Sequence, residues 1–141
     1  MKLLSMRNHQ RVINYDSKTM RRRMRWLLDD FFSWPRYNIA VHFVSIRKMA
    51  EMNMEHLDHV GPTDILTFNY SKELRQGELF ICPKVASENA TRHGVDLELE
   101  LSRYLIHGLL HMVGYDDKKT VDQKNMRREE NLILRKMNLY G

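Results

Sequence analysis

The stretch Asp96-Leu97-Glu98-Leu99-Glu100-Leu101-Ser102-Arg103-Tyr104-Leu105-Ile106-His107-Gly108-Leu109-Leu110-His111-Met112-Val113-Gly114-Tyr115-Asp116-Asp117 sets two imidazoles one helical turn apart and then delivers a carboxylate. Leu97, Leu101, Tyr104, Leu105, Leu109 and Met112 recur at intervals of three and four, which predicts a helix over about 97–113. Asp96 is a good N-cap, and Glu98 and Glu100 lie in the first turn, where the helix dipole favours anions. His107 and His111, spaced i, i+4, share one face with Cβ atoms roughly 5–6 Å apart. Gly114 sits where a C′ residue turns left-handed and reverses the chain. Asp117, three residues on, is close enough to bend back over the last turn.

Two His and one carboxylate leave a tetrahedral Zn2+ with one open position, the pattern of a catalytic rather than a structural site. Water in that position has its pKa lowered towards ~7 and can attack a carbonyl or phosphoryl centre near neutral pH. The competing explanation, two polar residues on a buried helix, serves one His better than a spaced pair followed by Gly114 and two Asp. The nearest familiar motif is H-E-x-x-H, whose Glu is the general base of zinc peptidases. Gly108 occupies that position and cannot accept a proton, so peptide hydrolysis lacks its base. A phosphodiester needs less help, because the metal polarises a phosphoryl oxygen and supplies the hydroxide itself. In RNA the neighbouring 2′-hydroxyl is an alternative nucleophile.

Outward from this helix, Pro83 opens a helix to about His93 and Gly94 closes it. Upstream, Asp64-Ile65-Leu66-Thr67-Phe68-Asn69-Tyr70 and Glu78 to Cys82 read as strands joined by a polar turn ending at Gly77, an antiparallel hairpin. Ser45 caps a helix carrying Met49, Met52 and Leu57 at helical spacing, a methionine stripe that packs into a core. Ile39 to Val44 is a β-rich run suited to a buried strand. Before it, Ser17 caps a helix to about Ser33 with Met20, Met24, Leu27, Leu28 and Phe31 as its apolar stripe. An edge strand is expected around Arg11 to Asn14. Downstream, Asp122 caps a last helix with Met126, Leu132, Ile133 and Met137 facing inward. The sequence shows no repeat, low-complexity tract or linker. Strands alternating with helices, then packed helices, predict an α/β (α+β) fold: a small mixed sheet of about four strands with about five helices, in a single domain over 1–141.

At 141 residues the chain is long enough to build a core, and 43% hydrophobic with 29% charged residues place it among globular rather than disordered chains. No apolar run approaches the ~18–20 residues of a membrane span, and the N-terminus turns polar too early for a signal peptide. A cytoplasmic location is therefore expected, and the single Cys82, in an apolar run, fits a reducing compartment as a buried residue. The net charge of +5 points to a polyanionic partner. Arg21, Arg22, Arg23 and Arg25 cluster in one helix, and Lys118, Lys119, Lys124, Arg127, Arg128, Arg135 and Lys136 follow the histidine motif. Basic faces flanking a phosphodiesterase site favour nucleic acid over mere solvated helix surfaces. Tyr115 could stack on a base or pack under its loop.

Over roughly residues 39 to 135 the chain resembles the YbeY family of metal-dependent endoribonucleases, the rRNA maturation factors. The family's His-Gly-x-Leu-His-x-x-Gly-Tyr-Asp-His signature is followed from His107 through Asp116. Its Pro-Thr-Asp-Val-Leu-Ser-Phe block is similar to Pro62-Thr63-Asp64-Ile65-Leu66-Thr67-Phe68. Its Gly-Asp-Ile-x-Ile strand resembles Gly77-Glu78-Leu79-Phe80-Ile81, and Met126, Glu130, Ile133 and Leu134 resemble its closing helix. Two positions depart. Asp117 stands where the family supplies a third His, an acceptable zinc ligand that is shorter, negatively charged and friendlier to harder ions. Asp116 aligns with the family's Asp before that ligand, so Asp117 is the assigned carboxylate, with Asp116 the alternative. Leu57 stands where the family commonly carries an Arg that contacts substrate, and His56 or His59 is near enough to substitute in part.

The resemblance implies a single-strand-specific metallo-endoribonuclease acting in small-subunit rRNA 3′-end maturation and ribosome quality control. It implies one Zn2+ per chain held by His107, His111 and Asp117, RNA as partner, most naturally rRNA with the ribosome or its proteins, and no membrane. Beyond the metal-bound water no catalytic residue is assigned, and Thr63, Asp64 and His59 are candidate cleft residues. Two rivals stand beside it: a non-catalytic ribosome-associated RNA-binding module stapled by zinc, and a zinc hydrolase of another class.

Overall fold

Tyr37, Ile39, Val41 and Phe43 alternate with Asn38, Ala40 and His42 along β2 (Tyr37–Phe43), and period-two geometry puts the four large apolar side chains on one buried face. A computed structural model describes residues 1–57 and 64–140. Around β2 it places β1 (Lys2–Asn8), β3 (Ile65–Ser71) and β4 (Gln76–Ile81) in one sheet of order β1-β2-β4-β3. β1 and β4 run parallel to β2, while β3 pairs antiparallel with β4, as the short polar connection requires. Leu4 aligns with Ile39, and Val41 with Leu79, so the apolar rows of the three parallel strands share a face.

Five helices are present among the described residues: α1 (Ser17–Trp26), α2 (Ile46–Leu57), α3 (Pro83–His93), α4 (Leu97–Met112) and α5 (Thr120–Tyr140). The mixed four-stranded sheet with five helices is the architecture the sequence predicts. α4 is its centre. Leu101, Leu105, Ile106 and Leu109 are fully buried, and α1, α3 and α5 pack around the helix above the β3–β4 hairpin. Gly108 lets α4 settle onto that hairpin: a Cβ there would stand 2.5 Å from Leu79 Cδ2 and 3.2 Å from Ile65 Cδ1. On the other side of the sheet, Met49 and Met52 of α2 pack with Leu66 and Cys82 in a second, smaller cluster.

Local signals place most boundaries. Asp96 accepts from Leu99 N at 2.7 Å and Ser45 Oγ from Lys48 N at 3.1 Å, and Gly94 closes α3 in the left-handed conformation. Four expectations need correction. The N-terminal strand spans 2–8, not 11–14. Gln10 satisfies the latter segment locally, its Oε1 accepting from Val12 N and Ile13 N and its Nε2 donating to Ile13 O, so no ladder partner is needed. Asp16, not Ser17, caps α1, accepting from Thr19 N at 3.0 Å, and the helix passes at Leu27 into a π-helical turn through Phe31. α5 starts at Thr120, with Asp122 inside its first turn. Leu132 is exposed and Leu134 takes the inward place, because 134 lies eight residues from Met126, where a helical face repeats, and 132 does not.

Candidate metal centre

The C-terminal end of α4 and the turn after it bring three side chains to one point. Gly114, at φ +108°, adopts a conformation closed to other residues at little cost, and the chain doubles back so that Asp117 returns over the last turn. His107 Nε2 lies 3.1 Å from His111 Nε2 and 3.2 Å from Asp117 Oδ2, and His111 Nε2 lies 3.6 Å from Asp117 Oδ1. One ligand atom from each residue falls within 4.8 Å of the others. Zinc bonds of about 2.0–2.1 Å in a tetrahedron set ligand atoms about 3.3 Å apart, so the observed spacing is that of one coordination sphere. Asp116 is used elsewhere: its Oδ1 accepts from the backbone N of Asp117 at 2.7 Å and of Lys118 at 3.3 Å, which shapes the turn presenting Asp117.

The ring of His107 is fixed from behind. Its Nδ1 stands 2.7 Å from Glu130 Oε2, an acceptor-only carboxylate on α5, so Nδ1–H donates and the Nε2 lone pair faces His111 and Asp117. Two nitrogens and a carboxylate facing one another need a positive charge between them, a proton or a cation, and the donor set suits Zn2+ or a neighbouring divalent ion. Burial pulls the His107 pKa down, but the Glu130 hydrogen bond and charge, then Asp117 and Asp64, raise it above the ordinary histidine value. Burial and the adjacent His107 charge instead hold His111 below that value.

Beside the group opens a cleft of about 790 Å³ whose walls include Asp64, Arg92, Arg103, Lys124, Arg127 and Arg128. The basic residues after the histidine motif thus divide: Lys124, Arg127 and Arg128 line the cleft, whereas Lys136 lies over the Phe31 ring at 5.3 Å. The α1 arginines do structural work. Arg21 donates to Leu4 O, Arg23 to Ser102 Oγ at 2.8 Å and Arg25 to Tyr37 OH at 2.8 Å, tying α1 to β1, α4 and β2. Of the candidate cleft residues, Asp64 lines the cleft, while Thr63 and His59 lie outside the described residues. Tyr115 is exposed beside the turn.

Sequence reasoning gave Glu130 and Arg103 no part in this site. Glu130 follows Met126 by four residues and precedes Ile133 by three, which puts a carboxylate on the inward face of α5, and a buried carboxylate demands a partner. That periodicity was the available signal.

The endoribonuclease YbeY family model matches residues 5–138. An endoribonuclease YbeY from Chlorobium luteolum is 38% identical over 100 residues, covering 70% of this chain and 73% of the relative. Another, from Amoebophilus asiaticus, is 33% identical over 99 residues, covering 69% of this chain and 67% of the relative. The solution structure of TM1509 from Thermotoga maritima has the same fold, with a TM-score of 0.65 at 24% identity over 94% of this chain and 87% of that one.

Proposed function

Because this chain belongs to the endoribonuclease YbeY family, we propose that it is a metal-dependent hydrolase that cleaves single-stranded RNA. In this proposal residues 1–141 form a single catalytic domain. His107, His111 and Asp117 hold one Zn2+, and the chain acts in the cytoplasm on the 3′ end of small-subunit rRNA and in ribosome quality control. The observation that carries it is the meeting of two Nε2 atoms and a carboxylate beside a cleft walled by arginine and lysine.

When bound, the cation supplies Lewis acidity to a phosphoryl oxygen. His107 and His111 present lone pairs, and Asp117 adds the negative charge that offsets part of the ion's. Lys124, Arg127 and Arg128 seat the phosphates flanking the scissile one. Asp64 is a carboxylate of the cleft wall whose charge is among those that raise the His107 pKa. Position 108 offers none, since Gly108 faces the sheet. That orientation disfavours the peptidase alternative. A zinc staple needs a fourth protein ligand, and Glu130, a further carboxylate in contact with His107, has its oxygens directed at His107 Nδ1 and Arg103.

The test is single-turnover cleavage of single-stranded and duplex RNA by zinc-loaded, chelator-treated and His111→Ala protein. Cleavage by the loaded parent alone, with single strands preferred, is expected. Full cleavage by metal-free His111→Ala protein would overturn the assignment, and RNA binding without cleavage in every condition would favour the stapled module.

A further inference from the structure

We propose that Glu130 is the residue that positions His107 for its ion, and that Arg103 holds Glu130 in the orientation that does so. The inference rests on the reading that His107, His111 and Asp117 hold the ion.

Glu130 is only 3% exposed, and a carboxylate so placed must be paired. Its two oxygens have different partners. Oε2 takes the His107 Nδ1–H at 2.7 Å, and Oε1 takes Arg103 Nη1 at 3.1 Å, with Arg127 Nη1 further off at 3.9 Å. The first contact selects the tautomer whose Nε2 is a lone pair and fixes the plane of the ring. The second contact holds the carboxylate in that orientation, because turning Oε1 away would break its pair with the Arg103 guanidinium in a buried setting.

Arg103 is itself held. Its Nε stands 3.9 Å from Oε1 of Glu100, a second buried carboxylate, whose Oε2 pairs with His93 Nδ1 at 3.2 Å. A run of polar contacts thus leads from His107 through Glu130, Arg103 and Glu100 to His93 at the cleft wall, joining α3, α4 and α5. His107 is thereby fixed by three helices, whereas among the described residues no carboxylate bonds the Nδ1 of His111.

The experiment compares the parent with Glu130→Gln, Glu130→Ala and Arg103→Met by three measurements. These are calorimetric Zn2+ affinity, the visible spectrum of the Co2+-substituted protein, and the ring 15N shifts of His107 in metal-free protein. Glu130→Ala should lose about 10–100-fold in affinity and show mixed His107 tautomers. Glu130→Gln keeps an acceptor for Nδ1–H and should retain the single tautomer and most of the affinity. Arg103→Met should move the Co2+ spectrum and the tautomer ratio partway towards those of Glu130→Ala, as a carboxylate held by one contact fixes the ring less tightly. Equal losses in Gln and Ala, or an unchanged affinity and tautomer in Ala, would overturn the positioning role. If neither variant folds, a parent ring protonated at Nε2 overturns it alone. A parent with the stated tautomer but no Zn2+ binding would instead sink the metal reading and leave the Glu130 contact standing.

Discussion

Gly108 and Leu79 meet so closely that a Cβ on the glycine would lie 2.5 Å from Leu79 Cδ2 and 2.8 Å from its Cγ. The residue after the first histidine therefore points into the sheet, while His107, one position earlier, points into the cleft. Leu79 is fully buried between strands and has no room to yield. Gly108→Ala should destabilise the fold by about 1–3 kcal/mol through overpacking, read as a lower denaturation midpoint at unchanged m. Gly108→Glu should unfold the chain rather than create a peptidase. A Gly108→Ala protein as stable as the parent would show that α4 sits further from the hairpin than described.

Asp117, at the position where the sequence resemblance expects a His, completes the proposed ligand set. Its carboxylate reaches the two Nε2 atoms at 3.2 and 3.6 Å, so the shorter side chain closes the triangle without help from Asp116. Asp117→Ala should lower Zn2+ affinity by about 100-fold or more, and Asp116→Ala by less, acting only through the turn. Asp117→His should restore Zn2+ binding while reducing affinity for Mn2+ relative to zinc, as a nitrogen replaces a hard oxygen. Calorimetric titration with both ions checks this; greater loss in Asp116→Ala than in Asp117→Ala would reassign the ligand.

The two histidine shifts have opposite signs, which fixes how metal-free protein responds to pH. His107 has a folded pKa above 6.5, so its stabilisation is complete below that value and fades as pH rises through the folded pKa. His111 has a folded pKa below 6.5, so its protonation on unfolding costs stability as pH falls below 6.5. With His107 in the proposed ligand set, metal binding must displace its proton, so zinc affinity should rise by about tenfold per pH unit until that group is neutral. Proton release measured by calorimetry in buffers of different ionisation heat tests this. Zinc affinity independent of pH between about 6 and 8 would remove His107 from the ligand set.

What was legible in the sequence was what local physics decides. Asp96, Ser45 and Gly94 act within four residues of themselves, and the i, i+4 histidines need only a helix to share a face. Tertiary partners decided the rest. Gln10 looks like any surface glutamine, yet it closes the loop where a strand was expected. Glu130 sits among Arg127, Arg128 and Glu129, a run that resembles a solvated face until α5 docks on α4 and one of its charges is buried. The arginines of α1 carry charge that composition counts towards a polyanion, but three of them each also commit a donor to the fold.

That division of the basic residues predicts different phenotypes for charges that look alike in the sequence. Lys124 and Arg128 line the cleft beside the histidines, whereas Arg25 donates to Tyr37 OH, which in turn donates to Asp29 Oδ1 at 2.8 Å. A residue that neutralises a phosphate contributes to the salt dependence of binding, with a slope of about 0.7 per contact on single strands. Lys124→Ala and Arg128→Ala should each weaken single-stranded RNA binding and flatten the plot of log K against log salt by about that amount. Arg25→Ala removes one charge too, but should leave the slope unchanged and lower stability instead by about 1 kcal/mol, the worth of a hydrogen bond to a charged donor in a half-buried setting. Filter binding over a salt series, with urea denaturation of the same three proteins, separates the two. Equal loss of slope in all three would mean that RNA wraps onto α1 and that the cleft alone does not define its path.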